Sequence, residues 1–415
     1  DQLRNICISD LFTMSTVFEV SAPGKLILAG EHSVVYGTAA LATSIDKRTY
    51  LTVKPPAQAH EVVLTIYTNS EKIEFVWSLV QLQTVSKDFT SCSFDTNLNV
   101  DTSSINACKS ALLEAKISHC EDSSAMVFLL MFCKIFGSRC GIHASVRSDL
   151  PMGAGLGSSA SYCVVIAAAM LHLLEVHTKP EPQVSYDLST RHLELINEWA
   201  FQGEGVCHGT PSGLDNTISV YGGCILFRRG SDMQTFALAP VFRLLVTNTA
   251  VPRNTKQLVA GVRQLKDRHP GIVEPILASI EATVQAIHRA LLAADADALT
   301  SEEKEAESVN NKTEEPQDVH ARIGELFEVN QNLLAALGVS HPAIQQTIEC
   351  CQKQVHPFPT KLTGAGGGGC VISLIPPLAT QLHIETLQAQ LRDLGFSSFV
   401  CCIGQSGVQL RGSSS

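Results

Sequence analysis

The stretch Pro151-Met152-Gly153-Ala154-Gly155-Leu156-Gly157-Ser158-Ser159-Ala160 lies between a predicted strand and a strongly apolar predicted helix. Glycines at alternate positions let backbone N–H groups turn toward one point, and the helix N-terminus adds its positive dipole end. The spacing is neither that of a Walker loop, Gly-x-x-x-x-Gly-Lys-Ser/Thr, nor the dinucleotide pattern Gly-x-Gly-x-x-Gly. A glycine-rich turn alone is as often structural as functional, but Ser158 and Ser159 add hydroxyls suited to phosphate or Mg²⁺. The stretch therefore predicts a phosphate-binding turn.

A second unusual segment, residues 194–216, carries two acidic candidates. If the predicted helix continues to Glu204, that carboxylate shares the core-facing stripe of Ile196 and Ala200, where it needs a cation or another partner. Glu204 is then a candidate metal ligand; alternatively, the flanking glycines end the helix and turn the side chain outward. Asp215 follows a Pro-Ser-Gly turn and is either a turn cap or a catalytic carboxylate.

The third segment, Lys361-Leu362-Thr363-Gly364-Ala365-Gly366-Gly367-Gly368-Gly369-Cys370, leads directly into an apolar strand. A flexible linker does not normally join a buried strand, and so many glycines cost conformational entropy. We expect this backbone to approach another loop or a ligand closely.

Periodicity and turn residues predict a mixed α and β chain in two parts. Expected strands lie near residue 17 and over 49–53, 62–67, 141–146, 217–220, 224–227, 243–247, 371–375 and 398–403; expected helices lie within 105–136 and over 159–175, 186–201, 254–266, 270–294, 321–337, 342–353 and 382–394. The predicted domains are 14–235 and 236–415, with 1–13 a leader or an added extension. Residues 301–320 hold seven acidic and two basic residues and predict a solvated loop or a frayed helix end.

Composition excludes several classes of function. The 415 residues carry a formal net charge of −10, which argues against nucleic-acid binding. Uninterrupted apolar runs are shorter than the roughly 20 residues of a bilayer span, so no membrane segment is expected. The 14 cysteines show no Cys-x-x-Cys spacing and follow no signal peptide, which predicts reduced thiols in a cytoplasmic protein, with a peroxisomal location left open.

Three ordered motifs resemble those of the GHMP small-molecule kinases. They are Ala22-Pro23-Gly24-Lys25 with Gly30-Glu31-His32, the stretch 153–159, and the stretch 363–370; residues 200–204, 211–216 and 251–255 add signatures of one branch. The resemblance implies an α+β fold with an N-terminal domain like ribosomal protein S5 domain 2, a ferredoxin-like C-terminal domain, and an active site between them. That branch phosphorylates the 5-hydroxyl of (R)-mevalonate with ATP, giving 5-phosphomevalonate and ADP for isoprenoid and sterol synthesis.

The resemblance also implies roles for individual residues. Asp215 matches the catalytic aspartate and Lys25 the lysine that neutralises phosphate charge. Ser159 and Glu204 match Mg²⁺ ligands. The nucleotide-binding positions are Lys25, Asn69, Ser148, Gly153, Ala154, Gly155, Leu156, Gly157, Ser158 and Ser159. Glu31, His32 and Thr255 are expected on the mevalonate side, although a buried histidine such as His32 is otherwise most often neutral and bonded to backbone.

Other functions with the same fold stay open at this stage. Phosphomevalonate, homoserine and galactose are alternative acceptors, and a non-catalytic ligand sensor is an alternative of another class. The four charged or hydroxyl candidates Lys25, Ser159, Glu204 and Asp215 favour an enzyme. A homodimer and inhibition by long-chain isoprenoid diphosphates are expected from the family alone.

Overall fold

The computed structural model describes residues 17–58, 60–68, 71–86, 102–137, 140–151, 153–178, 186–209, 211–229, 233–237, 242–303 and 316–412. Two β-sheets and their covering helices make up these residues. The presence of both β-sheets and α-helices confirms the predicted α+β class.

The first sheet has eight strands: β1 Phe18–Ala29, β2 Ala39–Lys54, β3 Glu61–Tyr67, β4 Lys72–Ser78, β5 Ile142–Ser148, β6 Cys224–Arg228, β7 Gln234–Phe236 and β12 Gln409–Gly412. Their order is β12-β1-β2-β5-β3-β4, with β6 pairing β2 and β7 pairing β6. Only β3 and β5 pair in parallel. Strand β1 contains the first part of the first motif, and its pairing with β2 shifts register at two places. The turn-forming residues Pro23 and Gly24 therefore bend a long strand without ending it.

Six helices accompany the first sheet: α1 Leu79–Ser86, α2 Thr102–Glu114, α3 Ser123–Phe136, α4 Ser158–Thr178, α5 Thr190–His208 and α6 Leu214–Tyr221. Helix α4 is apolar on nearly all sides and packs against β1, β2, α3, α5 and α6. It is the central helix of this half, and its N-terminus begins directly at the glycine turn.

The second sheet consists of β8 Arg243–Asn248, β9 Thr360–Leu362, β10 Cys370–Leu374 and β11 Ser397–Cys402, and the helices of this half are α7 Thr255–Arg268, α8 Pro270–Glu303, α9 Pro316–Ala336, α10 Pro342–Gln352 and α11 Gln381–Asp393. The order β11-β8-β10-β9, antiparallel throughout, is the ferredoxin-like arrangement that the resemblance implies. A hydrophobic cluster containing Leu26, Leu156, Leu244, Phe327 and Cys370 joins the two halves in one core.

One local prediction is wrong, and one alternative that the sequence left open is decided. Residues 217–220 are helical, in α6, because Gly213 takes a left-handed conformation and starts a helix that the β-branched residues then continue. Helix α5 passes through Gly203 and Gly205 to His208, so the flanking glycines do not end it. Helix α9 begins at Pro316, inside the acidic stretch, whose residues 304–315 lie outside the described residues.

The domain division at residue 235 stays a prediction. Strand β12 pairs with β1 in the first sheet, although it is the last strand of the chain. Arg48 holds the segment before β12 through bonds from its guanidinium to Ser406 O (2.9 Å) and Gly407 O (2.6 Å). The C-terminal end therefore contributes to the N-terminal half.

Two helical segments, Ser158–Val176 and Pro270–Ala294, are long and apolar enough to cross a membrane by length and composition. His172 in the first segment and Glu274 in the second interrupt their apolar runs, so neither segment holds an uninterrupted run of that length. For Ser158–Val176, 72% burial inside the fold accounts for the apolar composition, because this segment is the central helix of the first half.

Candidate active site

The glycine turn between β5 and α4 has an alternating conformation. Gly153, Gly155 and Gly157 have φ angles of 69°, 79° and 75°, whereas Ala154 and Leu156 between them are buried in the shared core. Left-handed glycines at alternate positions allow neighbouring N–H groups to point to one side, and α4 adds its N-terminal dipole. The local geometry is suited to an anion.

Lys25, a residue of β1, packs against the same turn. Its backbone N–H donates to Leu156 O (2.8 Å), and a Cβ on Gly157 would lie 2.9 Å from the Lys25 Cγ. The lysine side chain is only 8% exposed. The glycine at 157 is therefore required for Lys25 to lie against the anion-binding turn.

Lys25 and Asp215 form an ion pair, with Nζ and Oδ1 3.2 Å apart. Asp215 lies in the first turn of α6, which is anchored by bonds from Asn216 Nδ2 to Asn197 Oδ1 (2.7 Å) and from Ser219 Oγ to Pro23 O (2.9 Å). The carboxylate stays about one-third exposed. These contacts hold an accessible acid beside a buried cation.

Glu204 is buried on α5, with 5% of its surface exposed. Burial raises the pKa of this carboxyl group, and nearby Asp215 raises it further; a hydrogen bond from Ser159 and the charges of His208 and Lys25 oppose the shift. Its Oε1 has no hydrogen-bond partner among the described residues. The His208 Nε2 lies 4.0 Å from this oxygen. A buried carboxylate oxygen that accepts no hydrogen bond, beside the Ser159 hydroxyl, fits a hard cation such as Mg²⁺.

The third glycine-rich segment approaches Arg253, as its composition predicts. A Cβ on Gly364 or Gly369 would lie 3.2 or 2.9 Å from the Arg253 Nη1, and a Cβ on Gly155 would overlap its Nη2. Arg253 therefore lies between the glycine turn and the third motif. Its buried Nη1 finds no hydrogen-bond acceptor in the part of the chain that the structure describes.

Glu31 and His32 lie next to the third motif. The Glu31 carboxylate pairs with Lys361 Nζ at 2.5 Å, and both side chains have 0% exposure. His32 has a positive φ of 61°, and its Nε2 donates to Ala365 O at 2.8 Å. Burial lowers the pKa of His32, which favours a neutral ring bonded to backbone. The Nδ1 of His32 is buried and has no partner within the described ranges.

The remaining predicted residues are placed as follows. Ser148 ends β5, where its Oγ lies 2.9 Å from Thr49 Oγ1 and accepts the N–H of Leu150 (3.2 Å), so it shapes the entry to the glycine turn. Thr255 is exposed at the start of α7, two residues after Arg253. Asn69 lies outside the described residues.

Sequence reasoning missed Arg253 and Lys361 as functional residues. Arg253 lies in the segment 251–255 and Lys361 in the segment 361–370, both of which stand out in the sequence. The order of residues in these segments does not indicate which contacts the two side chains make. An arginine beside glycine-rich segments of a predicted anion site is the signal that could have found Arg253.

The glycine turn, the Lys25–Asp215 pair and the ferredoxin-like second half agree with what the three motifs imply. Models of the GHMP kinase N-terminal domain and of the GHMP kinase C-terminal domain match residues 123–223 and 317–397. The chain is 36% identical to mevalonate kinase of Arabidopsis thaliana, over 94% of this chain and 98% of that one. It is also 36% identical to mevalonate kinase of Homo sapiens, over 97% of each chain. The chain belongs to the mevalonate kinase family.

A solved structure of L. major mevalonate kinase in complex with R-mevalonate has the same fold. It aligns with a TM-score of 0.64 at 21% identity, covering 93% of this chain and 96% of that one. This likeness confirms the fold that the three motifs imply.

Proposed function

We propose that this protein is an ATP-dependent kinase that phosphorylates the 5-hydroxyl of (R)-mevalonate, giving 5-phosphomevalonate and ADP. The Lys25–Asp215 pair at the edge of the glycine turn is the observation that carries the proposal. It places a carboxylate able to accept a proton and a cation able to meet a phosphoryl group within 3.2 Å of each other. The family membership specifies the acceptor.

The nucleotide phosphates bind at the glycine turn in this proposal. The left-handed Gly153, Gly155 and Gly157 turn backbone N–H groups toward the phosphates, and the start of α4 adds a partial positive charge. Ser159 and Glu204 are the residues that would hold Mg²⁺, because the buried Oε1 of Glu204 accepts no hydrogen bond from the described residues. Mg²⁺, when bound, neutralises charge on the transferred phosphoryl group.

Asp215 accepts the proton of the acceptor hydroxyl. Its carboxylate is partly exposed, so a substrate hydroxyl can reach it, and Lys25 holds it in one orientation. Lys25 also stabilises the negative charge that spreads over the phosphoryl oxygens during transfer.

The acceptor binds next to Arg253, His32 and Thr255. Arg253 brings a cation with a free N–H group, which suits the carboxylate of mevalonate. His32 presents Nδ1 as an acceptor, because its Nε2 proton is used by Ala365 O. Glu31 supports this wall through Lys361, whose charge it balances.

An assay of ADP release tests the proposal with four acceptors: mevalonate, phosphomevalonate, homoserine and galactose. We expect turnover with mevalonate, and a drop of about 10²–10⁴ in the Asp215→Asn variant, which loses the proton acceptor. Calorimetry should show unchanged MgATP binding to that variant. Turnover with another acceptor but not mevalonate would contradict the substrate; ATP binding without turnover on any acceptor would favour a ligand sensor.

Three further properties remain proposals on the strength of the family alone: a homodimer, a cytoplasmic location, and inhibition by isoprenoid diphosphates. A diphosphate competes with ATP for an anion-binding turn, so such inhibition should be competitive with ATP. Sedimentation and inhibition kinetics measure the first and third properties directly.

A further inference from the structure

Two cysteines lie about one helical turn from the predicted magnesium ligands. Cys163 is on α4, four residues after Ser159, and Cys207 is on α5, three residues after Glu204. Residues three or four apart lie on the same face of a helix, so each thiol lies one turn away from a ligand. The two helices are antiparallel, because Ser159 lies near His208 at one end of the pair (Oγ to Nε2, 3.0 Å) and Glu175 lies near His192 at the other. Each thiol therefore lies on a helix face that also carries a predicted ligand.

The close approach of the two helices brings the two thiols near each other. The proximity of the two thiols raises the pKa of Cys163 and lowers that of Cys207. A Cβ on Gly203, one turn before Cys207, would lie 3.0 Å from the Cys163 Sγ and 3.3 Å from its Cβ. The glycine therefore leaves the space that Cys163 occupies, and the two helix backbones approach closely at this level.

The environment of the pair differs from that of a lone buried thiol. Cys163 is completely buried, whereas Cys207 is partly exposed. The cysteines in the described part of the chain are all free thiols. An oxidant in solvent can thus reach Cys207, and Cys163 is the neighbouring thiol across the helix pair.

We propose that Cys163 and Cys207 are a modification site at which a peroxide forms a disulfide that displaces the magnesium ligands. The Cys207 thiolate attacks the peroxide O–O bond, forming a sulfenic acid and releasing water after protonation. The Cys163 sulfur then attacks the sulfenic sulfur, the S–S bond forms, the S–O bond breaks, and a second water leaves. Two thiols lose two electrons and two protons, and one peroxide is reduced to two waters.

The disulfide changes the spacing of α4 and α5. A bonded sulfur pair is about 2.05 Å apart, much closer than any two free thiols approach. Ser159 and Glu204, one turn away, shift with their helices, and Mg²⁺ tolerates little departure from octahedral geometry. The loss of kinase activity rests on the proposed function, whereas the disulfide itself does not.

The test treats the full chain with hydrogen peroxide, blocks the remaining thiols and maps cross-linked peptides by mass spectrometry. We expect one cross-link between Cys163 and Cys207, a fall in mevalonate-dependent turnover of about tenfold or more, and recovery with dithiothreitol. Cys207→Ser and Cys163→Ala should keep the untreated turnover, lose the cross-link and resist peroxide. Cys224→Ser, a buried thiol on β6, is the matched control and should behave as the unmodified sequence does.

Two results would overturn the proposal: no cross-link between Cys163 and Cys207, or equal peroxide inactivation of Cys207→Ser. Because Cys207 is partly exposed, its serine variant keeps the test decisive if the Cys163 variant does not fold. A cross-link in a protein with no turnover on mevalonate before oxidation would reject the proposed function and leave the modification site standing.

Discussion

The buried pair Lys361–Glu31 provides a quantitative test of how the third motif is held. Lys361 Nζ donates to the Glu31 carboxylate at 2.5 Å and to Leu362 O at 2.7 Å, inside the fold. Lys361→Met removes the cation and leaves the Glu31 carboxylate buried, with an Oε2 that already lacks a partner among the described residues. We expect this substitution to destabilise the fold more than any change on the surface.

The magnitude follows from the burial of both partners. Removing one member of a buried ion pair typically costs about 3–5 kcal/mol, whereas replacing both with apolar groups of similar volume is often close to neutral. The double substitution Lys361→Met with Glu31→Met should therefore cost about 1 kcal/mol, chiefly from the lost bond to Leu362 O. Glu31→Gln should cost less than Lys361→Met, because burial already lowers the pKa of Lys361 and the amine can lose its proton.

Urea unfolding of these variants, followed by far-ultraviolet circular dichroism, measures the differences. The exposed Lys256 on α7 provides the matched control, since Lys256→Met should change the free energy of unfolding by less than about 0.5 kcal/mol. The reasoning is refuted if Lys361→Met lies within about 1 kcal/mol of the unsubstituted protein. It is refuted equally if the two methionine substitutions prove additive, because a buried pair must show coupling.

Three other substitutions test separate parts of the structure. Gly155→Ala should raise the KM for ATP about tenfold or more, because the residue has a φ of 79° and its Cβ would overlap Arg253; Gly205→Ala, in open space, should leave ATP binding unchanged. Arg253→Lys should raise the KM for mevalonate about tenfold and leave the KM for ATP nearly unchanged, since lysine lacks the planar fork; a change confined to ATP would place Arg253 on the nucleotide instead. Burial lowers the pKa of His320 below 6.5, so the unfolded chain binds more protons below that pH and the free energy of unfolding falls as the pH drops. His320→Gln should flatten this dependence by at most about 1.4 kcal/mol per pH unit in urea titrations below pH 6.5, and an unchanged slope would contradict the assignment.

Much of the site could be predicted because its chemistry needs unusual local sequence. Alternating glycines before an apolar helix predicted the anion-binding turn, and the stripe shared with Ile196 and Ala200 predicted the burial of Glu204. Both signals are local: the glycines set backbone angles within a few residues, and a helical stripe repeats every three to four residues.

Features that depend on distant contacts could not be predicted in this way. Strand β12 joins the first sheet because β1 has a free edge, and Arg48 fixes the preceding segment, but neither fact is visible in residues 409–412 themselves. Thr217, Ile218 and Val220 have β-branched side chains that favour a strand, yet packing of α6 against α4, α5 and β1 selects a helix. Tertiary contacts outweigh local propensity at both places.

On its face, a net charge of −10 conflicts with the proposal that the protein binds two anions. The same distinction between local and distant effects removes this conflict. Residues 301–320 carry half of the excess negative charge. Charges separated by more than a Debye length of about 8 Å interact weakly across solvent at physiological salt, whereas a buried cation is screened little. Lys25, with an 8% exposed side chain at the glycine turn, and Arg253, packed against the same turn, therefore govern the potential that an entering phosphate meets. The sign of the whole chain is a poor guide to its ligand, because the site supplies its own cations at short range.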